Sequence, residues 1–597
     1  MTFRAPVEEI LFALRYAAGF ERSSPMGESL ADGTAEAILR QAAKFADDVL
    51  EPLNGPGDRI GAQLSEGKIV TPPGWRAAYE IWRAGGWAGL AAPEDYGGAG
   101  LPHLLNAACL DAWNAANVAF MLGPVLSFAA IDALAAHASS ELRETYLRKL
   151  ISGEWTATMN LTEPQAGSDL AALRTKAARA PDGTYLIAGQ KIFITYGDHD
   201  LSDNIVHLVL ARLPDAPAGT RGVSLFLVPK FLVEADGSLG ARNDLRCAGV
   251  EHKMGIHGAP TCTMVFGDGG GAKAWLVGEE NRGLACMFTM MNNARLAVGL
   301  QGVGLCEAAT QKAIAFARER RQGRASGETH ADSSAIIAHP DVRRMLMTMK
   351  ASTAAARAIC YLTAAATDRG AAAQDEAARR AAANRASLLT PIAKAFATDL
   401  ANETTSLGVQ VHGGMGYIEE TGAAQLMRDA RIAAIYEGTN GIQAIDLVQR
   451  KLPMEGGETV RLELALMRDT IEALLATNAP EFGASAARLG EAIECLARAT
   501  EWMLQTLPTH VGSALAGATP YLRLFGLARG GASLADLALE AHRQIMRGDS
   551  DPLHAGRIAL ARFFAENLAV AASGLESAIV SGADSTLACE QALGGGQ

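Results

Sequence analysis

The run Tyr436-Glu437-Gly438-Thr439-Asn440-Gly441-Ile442-Gln443 sets one carboxylate between an aromatic ring and a glycine-threonine turn. A carboxylate held against an aromatic wall loses solvation, and its proton affinity rises. Such a group suits removal of a proton from carbon, for which an ordinary surface Glu with a pKa of ~4.3 is too weak a base. Most Glu residues at a helix end are solvated or capping, so reading Glu437 as a base depends on what accompanies it along the chain. Two other segments carry hydroxyls. In Leu161-Thr162-Glu163-Pro164-Gln165-Ala166-Gly167-Ser168-Asp169, Thr162 and Ser168 flank a glycine that lets backbone N–H groups approach a ligand. Phe193-Ile194-Thr195 ends a strand pattern with an aromatic plate beside a hydroxyl. A capped loop and a plain strand account for both; a stacking and hydrogen-bonding site for a planar heterocycle accounts for them equally.

The elements that must position these groups follow from periodicity. Residues 1 to about 155 have apolar residues at helical spacing, broken by the loop Pro93-Glu94-Asp95-Tyr96-Gly97-Gly98-Ala99-Gly100. From about 156 to 278, short β-type runs such as Lys191–Thr195, Ile205–Leu210 and Val223–Val228 alternate with Asp182-Gly183 and Pro/Gly clusters, predicting hairpins of a small barrel or sandwich. After Gly283 helical patterns return, with Ala-rich stretches at 351–400 that predict long antiparallel helices. Ala423 to Ile435 is amphipathic and leads into the Glu437 run. A last helical block spans about 455–590. The glycine-rich Gln410-Val411-His412-Gly413-Gly414-Met415-Gly416-Tyr417 follows a helical pattern rather than a strand, which argues against a dinucleotide fingerprint. His339-Pro340-Asp341 reads as a helix-start turn, and no metal site is expected. Met287, Met290 and Met291 suit core or pocket wall equally.

Length, 597 residues, predicts roughly three to four domains. A 49% hydrophobic, 20% charged composition is that of a well-folded protein, and a net charge of -12 argues against nucleic acid or an anionic membrane as the main partner. The eight cysteines (109, 247, 262, 286, 306, 360, 495, 589) form no C-x-x-C pair and suit reduced, buried thiols. Glu8 and Glu9 precede the first apolar residues, unlike a signal peptide, and no apolar stretch of spanning length was discerned, so a cytoplasmic location is expected.

In combination and order, T-E-P-x-A-G-S-D, K-I-F-I-T, Q-V-H-G-G-M-G-Y, M-R-D-A-R-I and I-Y-E-G-T-N-G-I-Q resemble the acyl-CoA dehydrogenases over about residues 35 to 452. The N-terminal addition, Tyr196-Gly197-Asp198-His199-Asp200 and the long C-terminal block resemble a larger subgroup that includes 3-methylmercaptopropionyl-CoA dehydrogenases. The resemblance implies an α+β, mainly α fold: an N-terminal helical domain (1–155), a central β-barrel or sandwich (156–280), a four-helix bundle with the base (281–454) and an extra C-terminal helical domain (455–597). It implies FAD, with Met159, Leu161, Thr162, Phe193 and Thr195 around the flavin and Ser168 at the pyrophosphate of flavin or CoA. Arg320, Gln410 and Gly414 are implied to reach the FAD of a neighbouring subunit, and Thr439, Asn440 and Gly441 that of their own. Arg295 is implied to face CoA, with Tyr436 and Gly438 beside the substrate.

The same resemblance makes Glu437 the base. The alternative family position, beside Arg295, offers Asn292, Asn293 and Ala294 and no carboxylate. The implied reaction is α,β-dehydrogenation of a thioester, with 3-methylmercaptopropionyl-CoA or a similar short substituted acyl-CoA as substrate, electron-transferring flavoprotein as electron acceptor and a homodimer as the assembly. The competing readings are a medium- or long-chain acyl-CoA dehydrogenase, an acyl-CoA oxidase, and a DNA-binding adaptive-response flavoprotein. The last needs a basic C-terminal face, whereas Lys451 is the last lysine of the chain.

Overall fold

In the computed structural model, which describes residues 3–20, 33–327, 333–588 and 592–594, the β-type runs form an eight-stranded sheet. Its strands are Trp155–Asn160 (β1), Lys176–Arg179 (β2), Tyr185–Thr195 (β3), Asn204–Arg212 (β4), Val223–Pro229 (β5), Leu245–Val250 (β6), Thr261–Phe266 (β7) and Ala272–Val277 (β8). The order is β6-β7-β3-β8-β5-β4-β1, with β2 pairing both β3 and β4. The Asp182-Gly183 turn makes the expected β2–β3 hairpin. β4–β5 and β6–β7 are further antiparallel pairs of consecutive strands, whereas β1 runs parallel to β4, a pairing no hairpin gives. β5 is buried at every position and β4 at all but Arg212, which is why both read as continuous apolar runs rather than alternating ones. The two-residue period survives in where the side chains go. Val206, Leu208 and Leu210 join a cluster with Leu134, Tyr146, Met287 and Met290. Val209 and Ala211 join another with Ile187, Phe226, Met264 and Phe266. Met287 and Met290 are thus core.

Two compact units result: Phe45–Leu101 with Ala116–Ala294, and Met1–Lys44 with Pro102–Ala115 and Arg295–Gln597. The first division falls near Asn117 in the helix His103–His137, where φ −160° and ψ 89° break the helical path. Asn117 repairs the break: its Oδ1 accepts from Phe120 N (3.0 Å) and its Nδ2 donates to Leu50 O (3.3 Å). His103–His137 and the helical run Leu553–Ser581 are long and apolar enough to cross a membrane, where the sequence had suggested no such stretch. The apolar window of the first is 89% buried, as for a core helix, and that of the second 39%.

In the helical unit, Pro340–Ala372 and Glu376–His412 form the expected long pair, the second capped by Asp375 accepting from Ala378 N. Polar groups brace it from inside. Arg357 Nε and Nη2 donate to Asp111 at 2.6 and 3.1 Å, Nη2 also reaches Glu307 at 3.0 Å, and Tyr361 donates to Asp111 at 2.8 Å. The extension is tied in the same way. Buried Glu463 accepts from Arg385 Nε (2.7 Å) and Arg529 Nη1 (3.3 Å). The helix Ala518–Met546 lies so close to Glu376–His412 that a Cβ at Gly526 would stand 2.2 Å from the Phe396 ring. Gly526→Val is therefore expected to cost about 1–3 kcal/mol by overpacking, read in urea denaturation; an unchanged midpoint would show that this contact does not fix the extension.

Candidate active site

The segment expected to deliver the base is a helix at Ala423–Ala430 continued by a 3-10 turn at Arg431–Ala434. The chain then reverses and enters the helix Asn440–Asp446, with Thr439 Oγ1 accepting from Ile442 N at 3.2 Å. The reversal places Glu437 at φ +54° and Gly438 at φ +82°. A non-glycine residue in that region costs about 1–3 kcal/mol and persists only where its surroundings over-determine it. Here they do. Gln443 Nε2 donates to Glu437 O (3.1 Å) and Gly438 O (3.2 Å). Lys394 Nζ donates to Gly438 O (2.9 Å) and to Asn440 Oδ1 (2.8 Å). Tyr436 donates its hydroxyl proton to Gln301 Oε1, fixing the ring beside the base.

Burial pushes the Glu437 carboxyl up to about 7, although the charges of Arg295 and Lys394 pull it down. Burial brings Lys394 down to about 7, with Glu437 and Asp399 opposing. Arg295 is also buried, its Nη1 3.2 Å from Asp446 Oδ2, and its Nε has no partner among the described residues. The N–H groups of Glu437 and Gly438 have no acceptor within the described chain, so both remain available to a ligand oxygen.

In the β-containing unit, a buried ion pair joins two of the motifs. Burial pushes Glu163 up, but the Lys191 ammonium at 2.8 Å and hydrogen bonds from Thr175 Oγ1 (2.6 Å) and Arg174 N (2.7 Å) outweigh it and hold the carboxyl at about 2. Lys191 Nζ also donates to Leu161 O (3.0 Å), and Ile192 N to Thr162 O (3.0 Å), so the loop is sewn onto β3. A bulge follows directly: Ile192 and Phe193 together face Thr263, since Lys191 pairs with Met264 and Ile194 with Cys262. Bulges re-aim side chains. Phe193, at φ +60°, is left 58% exposed. The hydroxyls of Thr162, Ser168 and Thr195 donate to and accept from nothing in the described chain. An exposed aromatic plate with three unbonded hydroxyls on one loop and strand end can stack on and hydrogen-bond to a planar heterocycle.

Acyl-CoA dehydrogenase N-terminal, middle and C-terminal domains match residues 33–154, 158–268 and 281–452, and the acetyl-CoA dehydrogenase C-terminal-like domain matches 464–590. The chain belongs to the acyl-CoA dehydrogenase family. It is 44% identical to a 3-methylmercaptopropionyl-CoA dehydrogenase of Ruegeria pomeroyi, over 98% of this chain and 99% of that one. A butyryl-CoA dehydrogenase of Syntrophomonas wolfei is 36% identical over 89% of each. The fold is that of Caenorhabditis elegans ACDH-11, solved with C11-CoA: TM-score 0.76, 19% identity, 97% of this chain and 95% of that one. This acyl-CoA dehydrogenase is an FAD-dependent oxidoreductase of acyl-CoA thioesters.

The expected site residues of the dehydrogenase separate by unit. Met159, Leu161, Thr162, Ser168, Phe193 and Thr195 lie in the β-containing unit; Arg295, Arg320, Gln410, Gly414, Tyr436, Glu437, Gly438, Thr439, Asn440 and Gly441 lie in the helical one. Phe316 stacks on His412 with centroids 4.5 Å apart, bringing together the helix ends that carry exposed Arg320 and Gln410. Asn440 has a different task from the one expected. Its amide is spent on Lys394, Asp399 (2.6 Å) and Ala395 O (3.2 Å), leaving only its backbone for a cofactor. The Arg295 guanidinium likewise sits buried against Asp446.

Three residues were missed in the sequence. Lys191 and Lys394 are both wholly buried; each interrupts an apolar run, which was the available signal. Asp132 accepts from Asn293 Nδ2, so a carboxylate does sit beside the stretch that had offered none. Lys191→Met is expected to leave Glu163 buried without its cation and to cost about 3–5 kcal/mol, lowering the thermal midpoint. A variant as stable as the parent would mean that the pair does not hold the loop.

Proposed function

We propose that Glu437 removes the α-proton of the bound acyl-CoA thioester. The observation that carries this is a carboxyl that burial pushes up to about 7 against the opposing charges of Arg295 and Lys394, on a left-handed turn whose own N–H is unbonded. Such a group is partly ionised at neutral pH and a stronger base than a solvated Glu. The free N–H of Glu437 is positioned on the same residue to donate to the thioester oxygen. That donor polarises the carbonyl and acidifies the α-position; each such donor is worth about 2.7–4 kcal/mol. Tyr436, fixed by Gln301, excludes water from the carboxylate and keeps it unsolvated. FAD, with Thr162, Ser168, Phe193 and Thr195 as its proposed contacts, supplies the acceptor for the β-hydride.

The substrate is 3-methylmercaptopropionyl-CoA or a similar short substituted acyl-CoA, a reading supported by the identity to the Ruegeria enzyme along nearly its whole length. Electrons leave to an electron-transferring flavoprotein, as the resemblance implies. The enzyme works in the cytoplasm, consistent with its seven described cysteines being buried and free. It acts as a homodimer whose partner covers Met415, Tyr417 and Ile418, which are 50%, 86% and 46% exposed beside Gln410 and Gly414. Light scattering is expected to give twice the chain mass; a monomer or tetramer contradicts this.

Glu437→Gln is expected to retain yellow FAD and lose about 10²–10⁴-fold in kcat, the contribution of a positioned general base. Wild-type turnover should fall as pH drops through about 7, where the carboxyl takes up its proton. Near-normal dehydrogenation by Glu437→Gln, with loss in Asp132→Asn instead, would move the base to Asp132.

A further inference from the structure

Lys394 sits wholly buried in the middle of the helix Glu376–His412, between Ala393 and Ala395. A buried ammonium is costly unless it is bonded and its charge compensated. Other buried cations among the described residues meet that demand with a carboxylate in contact: Lys191 with Glu163, Arg357 with Asp111, Arg295 with Asp446 and Arg529 with Glu463. Lys394 does not. Its acceptors are neutral, the Gly438 carbonyl and the Asn440 side-chain oxygen.

The charged groups around it come from every packed element. Arg295 lies on Gly283–Glu319, Asp399 on its own helix and Glu437 on the reversal; Asp446 and Arg450 act in turn on Arg295, and Arg523 and Glu403 on Asp399. Asp446 is engaged by Arg295 and Arg450 (3.2 and 3.4 Å), and Asp399 accepts from Asn440 Nδ2. Glu437 is the carboxylate left facing Lys394, and no ion-pair contact joins the two. The Glu163–Lys191 pair shows what contact would do: bonded at 2.8 Å, that carboxyl falls to about 2 and is useless as a base near neutral pH.

We propose that Lys394 is a positioning residue for the base: it pins the Glu437–Gly438 reversal through two neutral acceptors, and it keeps a cation near the carboxylate but unbonded to it. The proposal rests on Glu437 being the base. The bonds from Lys394 to Gly438 O and Asn440 Oδ1 hold the C-terminal side of the left-handed turn, so losing them frees the peptide that follows the carboxylate. While Lys394 holds its proton, with its pKa brought down to about 7 by burial, its charge offsets the desolvation of Glu437 in part, and its tether to those oxygens leaves the carboxylate's lone pairs open.

The test uses the full-length, FAD-loaded enzyme and its Lys394→Met, Lys394→Gln and Lys394→Arg variants. Two readouts are followed against pH: acyl-CoA-dependent flavin bleaching, and the infrared band of the Glu437 carboxyl, assigned by its loss in Glu437→Gln. For Lys394→Met and Lys394→Gln, kcat at pH 7 is expected to fall about 10-fold or more with KM changed less than about 3-fold. The Glu437 titration should move up by about one pH unit, so activity returns in part at higher pH, and Lys394→Arg should restore the midpoint. An FAD-loaded neutral variant with an unmoved carboxyl midpoint overturns the proposal, whatever its rate. Failure of both neutral variants to fold overturns it too, since Lys394 would then serve folding alone. Full activity in Glu437→Gln instead defeats the base reading beneath it, a result distinct from either.

Discussion

Water is what makes a carboxylate a poor base, and the central constraint on this protein is to take water away from one carboxylate without replacing it by something as good. Burial alone would drive Glu437 toward the neutral acid, and a bonded cation would drive it to permanent ionisation. The chain takes a middle course: two cations, Arg295 and Lys394, act on Glu437 by charge, while each is bonded elsewhere, to Asp446 and to the Gly438 carbonyl. The result is a carboxyl at about 7. The backbone at Glu437 is left-handed, a conformation that persists only where its surroundings over-determine it.

Much of the surrounding fold holds that arrangement still. Asn440 is anchored to Asp399 and Ala395, and Gln443 takes both carbonyls of the reversal. The helices behind them are locked by Asp111, Arg357 and Tyr361, and the extension adds Glu463 with its two arginines. Breaking any one of these buried pairs leaves a charge stranded, which is why such networks specify a single arrangement of the helices even where they add little net stability. The β-containing unit uses the same device at Glu163 and Lys191, there to hold a loop whose free hydroxyls and projecting Phe193 suit a flat cofactor.

What the sequence disclosed and what it hid divide along physical lines. Glu437 was legible because an aromatic, a glycine and a threonine are local signs of a turn with a shielded carboxylate. The long helices and the extent of the sheet were legible because burial leaves a period. The strand order was not, since β1 pairing parallel to β4 is decided by tertiary packing and leaves no mark in either strand. Lys394 and Lys191 were passed over because a lysine in an alanine helix or a strand reads as solvated, although each interrupts an apolar run; their zero exposure decides it. Asn440 was expected among the cofactor contacts with Thr439 and Gly441; its side chain turns inward to Lys394, Asp399 and Ala395. Asp132, 161 residues from Asn293 in the chain, is a contact that no local pattern encodes.

The most direct test of a desolvated Glu437 carboxylate acting on carbon is proton exchange at the α-carbon of a thioester that has α- but no β-hydrogens. Incubated with the FAD-loaded enzyme in D₂O, such a compound should take up deuterium at the α-carbon, at a rate that rises with pH through about 7 and vanishes in Glu437→Gln. Exchange that is absent, or that continues unchanged in that variant, would contradict the account.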